Sequence, residues 1–148
     1  MSSDPRTRAG PSARRSPGGR GIAALRVLIV DDDDDSAESL ALLVRHLGSE
    51  ARIAGDGPTA LASVVRHRPH LVLLDLGLPG MGGYEVARRT RALSEGRDAL
   101  LVAVTGWSQT DAGERGREAG FDHHLVKPLE LDDLRRLLAA AAKACADD

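Results

Sequence analysis

Short apolar runs alternate with amphipathic stretches along most of the chain. Val27-Leu28-Ile29-Val30 is four residues long, rich in branched side chains and closed by aspartates. A run of that kind predicts a strand covered on both faces. Leu40, Leu43, Val44 and Leu47 then recur at helical spacing until Gly48, which ends the helix. A short strand is predicted over Ala51–Ala54. Gly57-Pro58 opens a second helix carrying Leu61, Val64 and Val65, with Pro58 suited to the first helical position. Leu71–Asp75 reads as the third strand, Leu76–Gly83 as a loop and Tyr84–Leu93 as the third helix. Leu100–Val104 is apolar throughout and predicts another doubly covered strand. A fourth helix over Ser108–Ala119 carries Gly113 and Gly116, each costing about 1 kcal/mol relative to alanine. Phe121–Val126 is the fifth strand and Leu131–Ala144 the last helix. Five repeats of strand and helix predict an α/β fold, a parallel sheet with helices on both faces and right-handed crossovers. No glycine-rich phosphate fingerprint follows the first strand, which excludes a dinucleotide-binding reading.

Composition narrows the classes. The 148 residues amount to one domain, and aromatic residues are only 2% of them, so the core must be aliphatic. Cys145 is the sole cysteine, which rules out an internal disulfide and fits a reducing cytoplasm. No run approaches the roughly 18 apolar residues that a bilayer span needs, so no membrane insertion is expected. The formal charge of −2 hides an asymmetry: residues 1–24 carry +4, through Arg6, Arg8, Arg14, Arg15 and Arg20 against Asp4, and the rest carries −6. That first segment is rich in Ser, Gly and Pro and reads as a disordered basic tail preceding a domain over residues 25–145. It lacks the apolar core of a signal peptide. A basic arm could touch nucleic acid, but without aromatics or a recognisable binding fold no direct nucleic-acid binding is expected.

The chemistry gathers at strand ends. Asp31 to Asp35 follow the first strand directly, and Asp75 closes the third. Carboxylates delivered to the C-terminal edge of an open α/β sheet lie where ligands bind. Their mutual repulsion calls for a cation, and Mg²⁺ favours such oxygen ligands. Asp33, Asp34 and Asp35 read instead as loop and as caps for the positive end of the next helix. Thr105 follows the fourth strand and Lys127 the fifth. An aspartate that accepts a phosphoryl group needs a metal to screen charge and donors for the phosphoryl oxygens. Asp75 would be the nucleophile, Asp32 a metal ligand, and Thr105 and Lys127 the donors.

With those segments in view the chain resembles the receiver domain of two-component response regulators. The matching stretches are Val27–Asp32, Leu73–Met81, Val104-Thr105-Gly106 and Val126-Lys127-Pro128. The resemblance covers about residues 25–142. It implies a flavodoxin-like doubly wound sheet of strand order 2-1-3-4-5, and a phosphoryl group passed from a histidine kinase or phosphotransfer protein to Asp75. It also implies Mg²⁺ held by Asp32, Asp75 and the carbonyl of Gly77, with Asp31 acting through water, and a cis peptide before Pro128. Such a domain catalyses only its own phosphorylation and dephosphorylation and is not otherwise an enzyme.

Departures from the family pattern are informative. His124 stands where relatives commonly carry a tyrosine or phenylalanine that swings inward with Thr105. It reads either as a pH-sensitive switch side chain or as a strand-edge histidine half in solvent. Gly82 replaces a frequent aspartate and loosens the loop after Asp75. Trp107 lies where the family tunes access of water to the acyl phosphate; its ring either shields that bond or simply covers the rim. The glycine-bearing fourth helix suits a segment reshaped on phosphorylation. The last helix ends near the last residue, so a stand-alone receiver with no appended effector is expected, signalling through a partner protein or a phosphorelay. Two rivals remain in view. One is a pseudo-receiver that never takes phosphate and binds protein constitutively. The other is an aspartate-nucleophile phosphohydrolase suggested by Asp31-x-Asp33, although the chain has no cap segment for it.

Overall fold

A computed structural model describes residues 24–106 and 117–146. Five strands, β1 (Arg26–Val30), β2 (Glu50–Ala54), β3 (Leu71–Asp75), β4 (Leu100–Thr105) and β5 (His123–Val126), form one sheet in the order β2-β1-β3-β4-β5. All four strand pairs are parallel. Helices α1 (Asp34–His46), α2 (Gly57–His67) and α3 (Gly83–Ala92), together with a C-terminal helix (Leu131–Ala146), link and cover the strands. This is the flavodoxin-like doubly wound arrangement.

The continuous apolar runs of the central strands follow from packing on two sides. Val27 and Ile29 enter one core with α1 and the C-terminal helix, while Leu28 and Val30 enter a second core with α2 and α3. On the C-terminal helix Leu134, Leu137, Leu138 and Ala141 recur at helical spacing, and all are buried in the first core. Aromatic packing is confined to one edge-to-face pair among the described residues, Tyr84 on Phe121, with ring centres 6.1 Å apart.

Element boundaries shift by one or two residues in several places, and two of the shifts have a clear cause. The fifth strand begins at His123 rather than Phe121. Phe121 is buried in the second core, and Gly120 before it has φ 105°, so the chain is still turning when it passes Phe121. The third helix starts one residue early, at Gly83. A Cβ at Gly83 would stand 2.9 Å from both the Asp75 carbonyl oxygen and Leu76 Cα. Only glycine lets α3 begin directly against the end of β3. Of the predicted fourth helix, residues 117–119 are described and are helical. Trp107, the remainder of that helix and residues 1–23 of the basic tail lie outside the described residues.

Candidate functional site

Four of the five strands end on a group with chemistry. Asp31 follows β1, Asp75 closes β3, Thr105 closes β4, and Lys127 follows β5. Asp31 is 5% exposed and Thr105 4%, which is unusual for polar residues and points to a specific use. Asp31, Asp32 and Asp75 each offer a carboxylate oxygen such that all three lie within 4.8 Å of one another. Asp32 is the exposed member of the trio.

One cation serves two of these carboxylates. Lys127 Nζ donates to Asp31 Oδ2 at 3.0 Å and stands 3.6 Å from Asp75 Oδ2. The lysine is delivered by the end of β5, where its own N–H donates to the Thr105 carbonyl at 2.7 Å. The next peptide, Lys127-Pro128, is cis, as the family resemblance implied. The second oxygen of each carboxylate is held by its own loop. Asp31 Oδ1 accepts the Asp33 N–H at 2.9 Å, and Asp75 Oδ1 accepts the Gly77 N–H at 2.9 Å. These bonds fix the carboxylate planes before any ligand arrives.

Asp75 and Lys127 both shift upward, for different reasons. Burial pushes the Asp75 carboxyl above the usual carboxylate range, aided by the neighbouring Asp31 charge and opposed by the Gly77 N–H and Lys127. For Lys127, burial pulls downward, but the hydrogen bond to Asp31 and the charges of Asp75 and Asp31 outweigh it and hold the ammonium above its ordinary value. The edge therefore combines a crowded anionic trio with one fixed ammonium.

A hexacoordinate Mg²⁺ with oxygens at about 2.1 Å spaces its ligands about 3 to 4.2 Å apart. The trio, within 4.8 Å, meets that after a contraction of tenths of an ångström. All-oxygen donors, two of them pre-oriented by backbone N–H groups, suit a hard cation. Gly77 presents its N–H to Asp75, so its carbonyl is not committed by that bond.

The other aspartates separate cleanly in role. Asp33 is the N-cap of α1 and accepts from the Asp35 N–H and the Ser36 hydroxyl, at 3.1 and 3.0 Å. Asp34 and Asp35 lie in the first helical turn, where negative charge meets the positive end of the helix dipole. His124 lies on β5 opposite Ala103, on the face it shares with Thr105. Its ring is half-buried, and Nε2 is buried with no hydrogen-bond partner among the described residues. Gly82 is the N-cap of α3 and gives that helix no side-chain cap.

Sequence reasoning missed a cleft beside the site. Leu40 and Leu43 read as core residues, yet they are only partly buried and line a cleft of about 340 Å³ that also reaches Asp31, Ser36 and Lys127. The clue was the placement of Ser36 and Ser39 beside those leucines at helical spacing, which sets a polar edge against an apolar stripe. A cleft of about 420 Å³ at the opposite edge of the sheet mixes Arg26, Arg68 and His70 with Glu95 and Asp98. It contains none of the strand-end groups.

Comparison with known proteins agrees with this geometry. The pattern of the response regulator receiver domain matches residues 27–139. The sensory transduction protein RegX3 of Mycolicibacterium smegmatis is 38% identical over 122 residues, 82% of this chain and 52% of its own. The chain thus spans about half the length of the curated relatives it matches. A CheY-like receiver domain protein from Methanospirillum hungatei superposes with a TM-score of 0.77 at 27% identity, covering 85% of this chain and all of its own. The receiver domain of a sensor histidine kinase from Pseudomonas aeruginosa PAO1, solved with a magnesium ion coordinated in the active-site cleft, gives 0.74 at 29% identity. That match covers 82% of this chain and 99% of the other.

Proposed function

The chain belongs to the response regulator receiver domain family, and from that premise we propose that it is a phosphorylation switch whose acceptor is Asp75. The observation that carries this reading is the placement of Lys127 Nζ between Asp31 and Asp75 at the edge where three carboxylate oxygens lie within 4.8 Å. The donor is a phosphohistidine on a histidine kinase or a phosphotransfer protein. A carboxylate oxygen of Asp75 attacks the phosphorus in line, an O–P bond forms, the N–P bond to the donor imidazole breaks, and that imidazole leaves as the nitrogen base. Asp31, Asp32, Asp75 and the Gly77 carbonyl would hold Mg²⁺, which when bound supplies charge screening for the incoming phosphoryl group.

The chain's own groups do the remainder. The Gly77 N–H holds one Asp75 oxygen, leaving the other directed at Lys127. Lys127 exchanges part of its carboxylate contact for a phosphoryl oxygen, and the Thr105 hydroxyl donates to a second. His124, on the same face of the sheet as Thr105, then serves as the switch side chain in place of the family's aromatic ring, and its buried Nε2, without a partner among the described residues, supports that reading. Trp107 would control access of water to the acyl phosphate. The domain acts in the cytoplasm, behind the basic segment over residues 1–24, and its output passes to a partner protein or along a phosphorelay. Among the described residues no helix is long and apolar enough to cross a membrane.

Intact mass after incubation with acetyl phosphate tests the proposal. Wild type should gain one phosphoryl group with Mg²⁺ present, and Asp75→Asn should gain none. Absence of any gain from acetyl phosphate and from a phosphorylated histidine donor alike would leave a pseudo-receiver and overturn the reading.

A further inference from the structure

Arg91, in the last turn of α3, makes four hydrogen bonds far from the carboxylate edge. Its Nε donates to the Gly120 carbonyl at 2.9 Å, and Nη1 donates to the carbonyls of Arg97 and Ala99 at 2.8 and 2.6 Å. Its Nη2 donates to Asp122 Oδ2 at 2.7 Å. The same Asp122 oxygen accepts the Leu101 N–H at 2.9 Å, while the Asp122 N–H donates to the Leu101 carbonyl at 2.7 Å. Asp122 therefore closes a two-way bond with the foot of β4, one bond through its backbone and one through its side chain. Nothing at the phosphoacceptor requires such a cluster directly.

What the cluster controls is β5. This strand has four residues and lies at the sheet's edge, so among the described strands it pairs with β4 alone. At its head, Lys127 bonds to Thr105; at its foot, Asp122 bonds to Leu101. The two ends are about 16 Å apart at the rise of an extended strand. A one-residue slip would shift Lys127 by about 3.3 Å along the sheet and turn β5 side chains to the other face. We infer that Arg91 and Asp122 are positioning residues for phosphoryl transfer, pinning the foot of β5 so that Lys127 Nζ stands between Asp31 and Asp75.

Three features favour this over a loose surface ion pair. Asp122 is already committed to β4, so the arginine joins an ordered acceptor rather than a free one. From α3 the guanidinium spreads its donors over the loop after that helix, the turn at Gly120 and the foot of β5, a geometry that needs a planar fork and not a point charge. Gly120 is matched to it: a Cβ there would lie 2.6 Å from Arg91 Cγ. The chain thus leaves room for the arginine stem at the turn that launches β5.

The inference rests on the proposed phosphoacceptor role, and the test separates the two. Mg²⁺ would be bound by groups on β1 and β3, whereas a phosphoryl group also needs Lys127 and Thr105 from β4 and β5. Calorimetric titration with Mg²⁺ alone, then with beryllofluoride in saturating Mg²⁺, reads the two halves apart. Arg91→Ala should keep its Mg²⁺ affinity within about twofold and lose at least roughly tenfold in beryllofluoride affinity, since a displacement of 1 Å at a reacting group can cost about 100-fold. Arg91→Lys should not restore it. Asp122→Asn, which keeps an oxygen for Leu101, should show a smaller loss in the same direction. Arg88→Ala, on the same helix but paired among the described residues with Glu85 alone, should match wild type.

Unchanged beryllofluoride affinity in both Arg91→Ala and Asp122→Asn would overturn the inference, as would equal loss of Mg²⁺ and beryllofluoride binding, the mark of general loosening. Should Arg91→Ala fail to fold by circular dichroism, Asp122→Asn decides alone. Wild type that takes Mg²⁺ but never beryllofluoride would remove the phosphoacceptor reading, and this inference with it.

Discussion

Replacing Asp75 by asparagine should stabilise the metal-free protein at neutral pH. The ionised carboxylate gains from Lys127 at 3.6 Å and loses to Asp31, whose oxygen lies within 4.8 Å. At an effective dielectric constant of 20 these gross terms are about 4.6 and at least about 3.5 kcal/mol, and so nearly cancel. Desolvation then decides the sign, because the Asp75 side chain is only 13% exposed and burial is the largest cause of its raised pKa. Asparagine removes that cost yet retains an oxygen for the Gly77 N–H. A net gain of about 1–2 kcal/mol is expected, with a rise of several degrees in Tm. The pH dependence fixes the mechanism. A carboxyl whose folded pKa lies above its unfolded value is protonated longer in the native state, so native stability falls as pH rises from about 3.8 through the folded pKa. Urea unfolding in EDTA should therefore show Asp75→Asn ahead of wild type at pH 7.5, with the difference vanishing below that window. Saturating Mg²⁺ should shrink the difference, since a ligand of the native state stabilises wild type by mass action. An asparagine variant equal to or weaker than wild type in EDTA at pH 7.5 would refute the claim that the trio is a net electrostatic burden.

Three further outcomes follow from the packing and the hydrogen bonds. Leu138→Ala, at a fully buried position on the C-terminal helix, should cost about 3 kcal/mol in urea unfolding; a loss below about 1 kcal/mol would mean that the helix is not anchored through that stripe. Gly83→Ala should destabilise by about 1–3 kcal/mol, because the new methyl meets the Asp75 carbonyl at 2.9 Å, and it should slow acyl-phosphate formation; wild-type behaviour in both assays would disprove the close approach. His70 accepts the Arg26 N–H on Nδ1 at 2.9 Å, and burial together with Arg26 holds its pKa below the ordinary 6.5. The unfolded chain takes up the proton first, so stability should be full above about pH 6.5 and decline as pH falls towards the folded pKa. His70→Asn, which offers an oxygen in place of Nδ1, should flatten that decline between pH 6.5 and 5.5; the same slope in both proteins would assign it to other groups.

The legible parts of this chain were those where one local rule sufficed. Buried strands announced themselves as unbroken apolar runs, because Val27 and Ile29 face one core and Leu28 and Val30 the other. The split of the aspartate tract was also readable: Asp31 ends a strand, while Asp33 caps α1. The foot of β5 was not readable. Phe121 is as apolar as a strand residue, but it is buried from a turn, and the first ladder bond belongs to Asp122, whose side chain supplies part of it. Periodicity cannot signal a carboxylate that stands in for a backbone acceptor. Arg91 was invisible for a related reason, since three of its four acceptors are backbone carbonyls, which every residue carries.

That pattern bears on how the carboxylate edge is built. The anionic groups come from β1 and β3, strands with neighbours on both sides, so the fold's best-supported elements hold the charges that repel. Among the described residues, the cation paired with them, Lys127, comes from the end of β5, a four-residue strand at the edge. With an anionic floor on central strands and an ammonium on an edge strand, the proposed phosphorylation of Asp75 would draw on β5, because Lys127 can shift without disturbing the central strands. The same asymmetry demands a restraint at the far end of β5, or Lys127 would sample positions away from Asp31 and Asp75. The hydrogen bonds of Arg91 and Asp122 meet that demand from below while leaving the head of the strand, with Thr105 and His124 beside it, free of them.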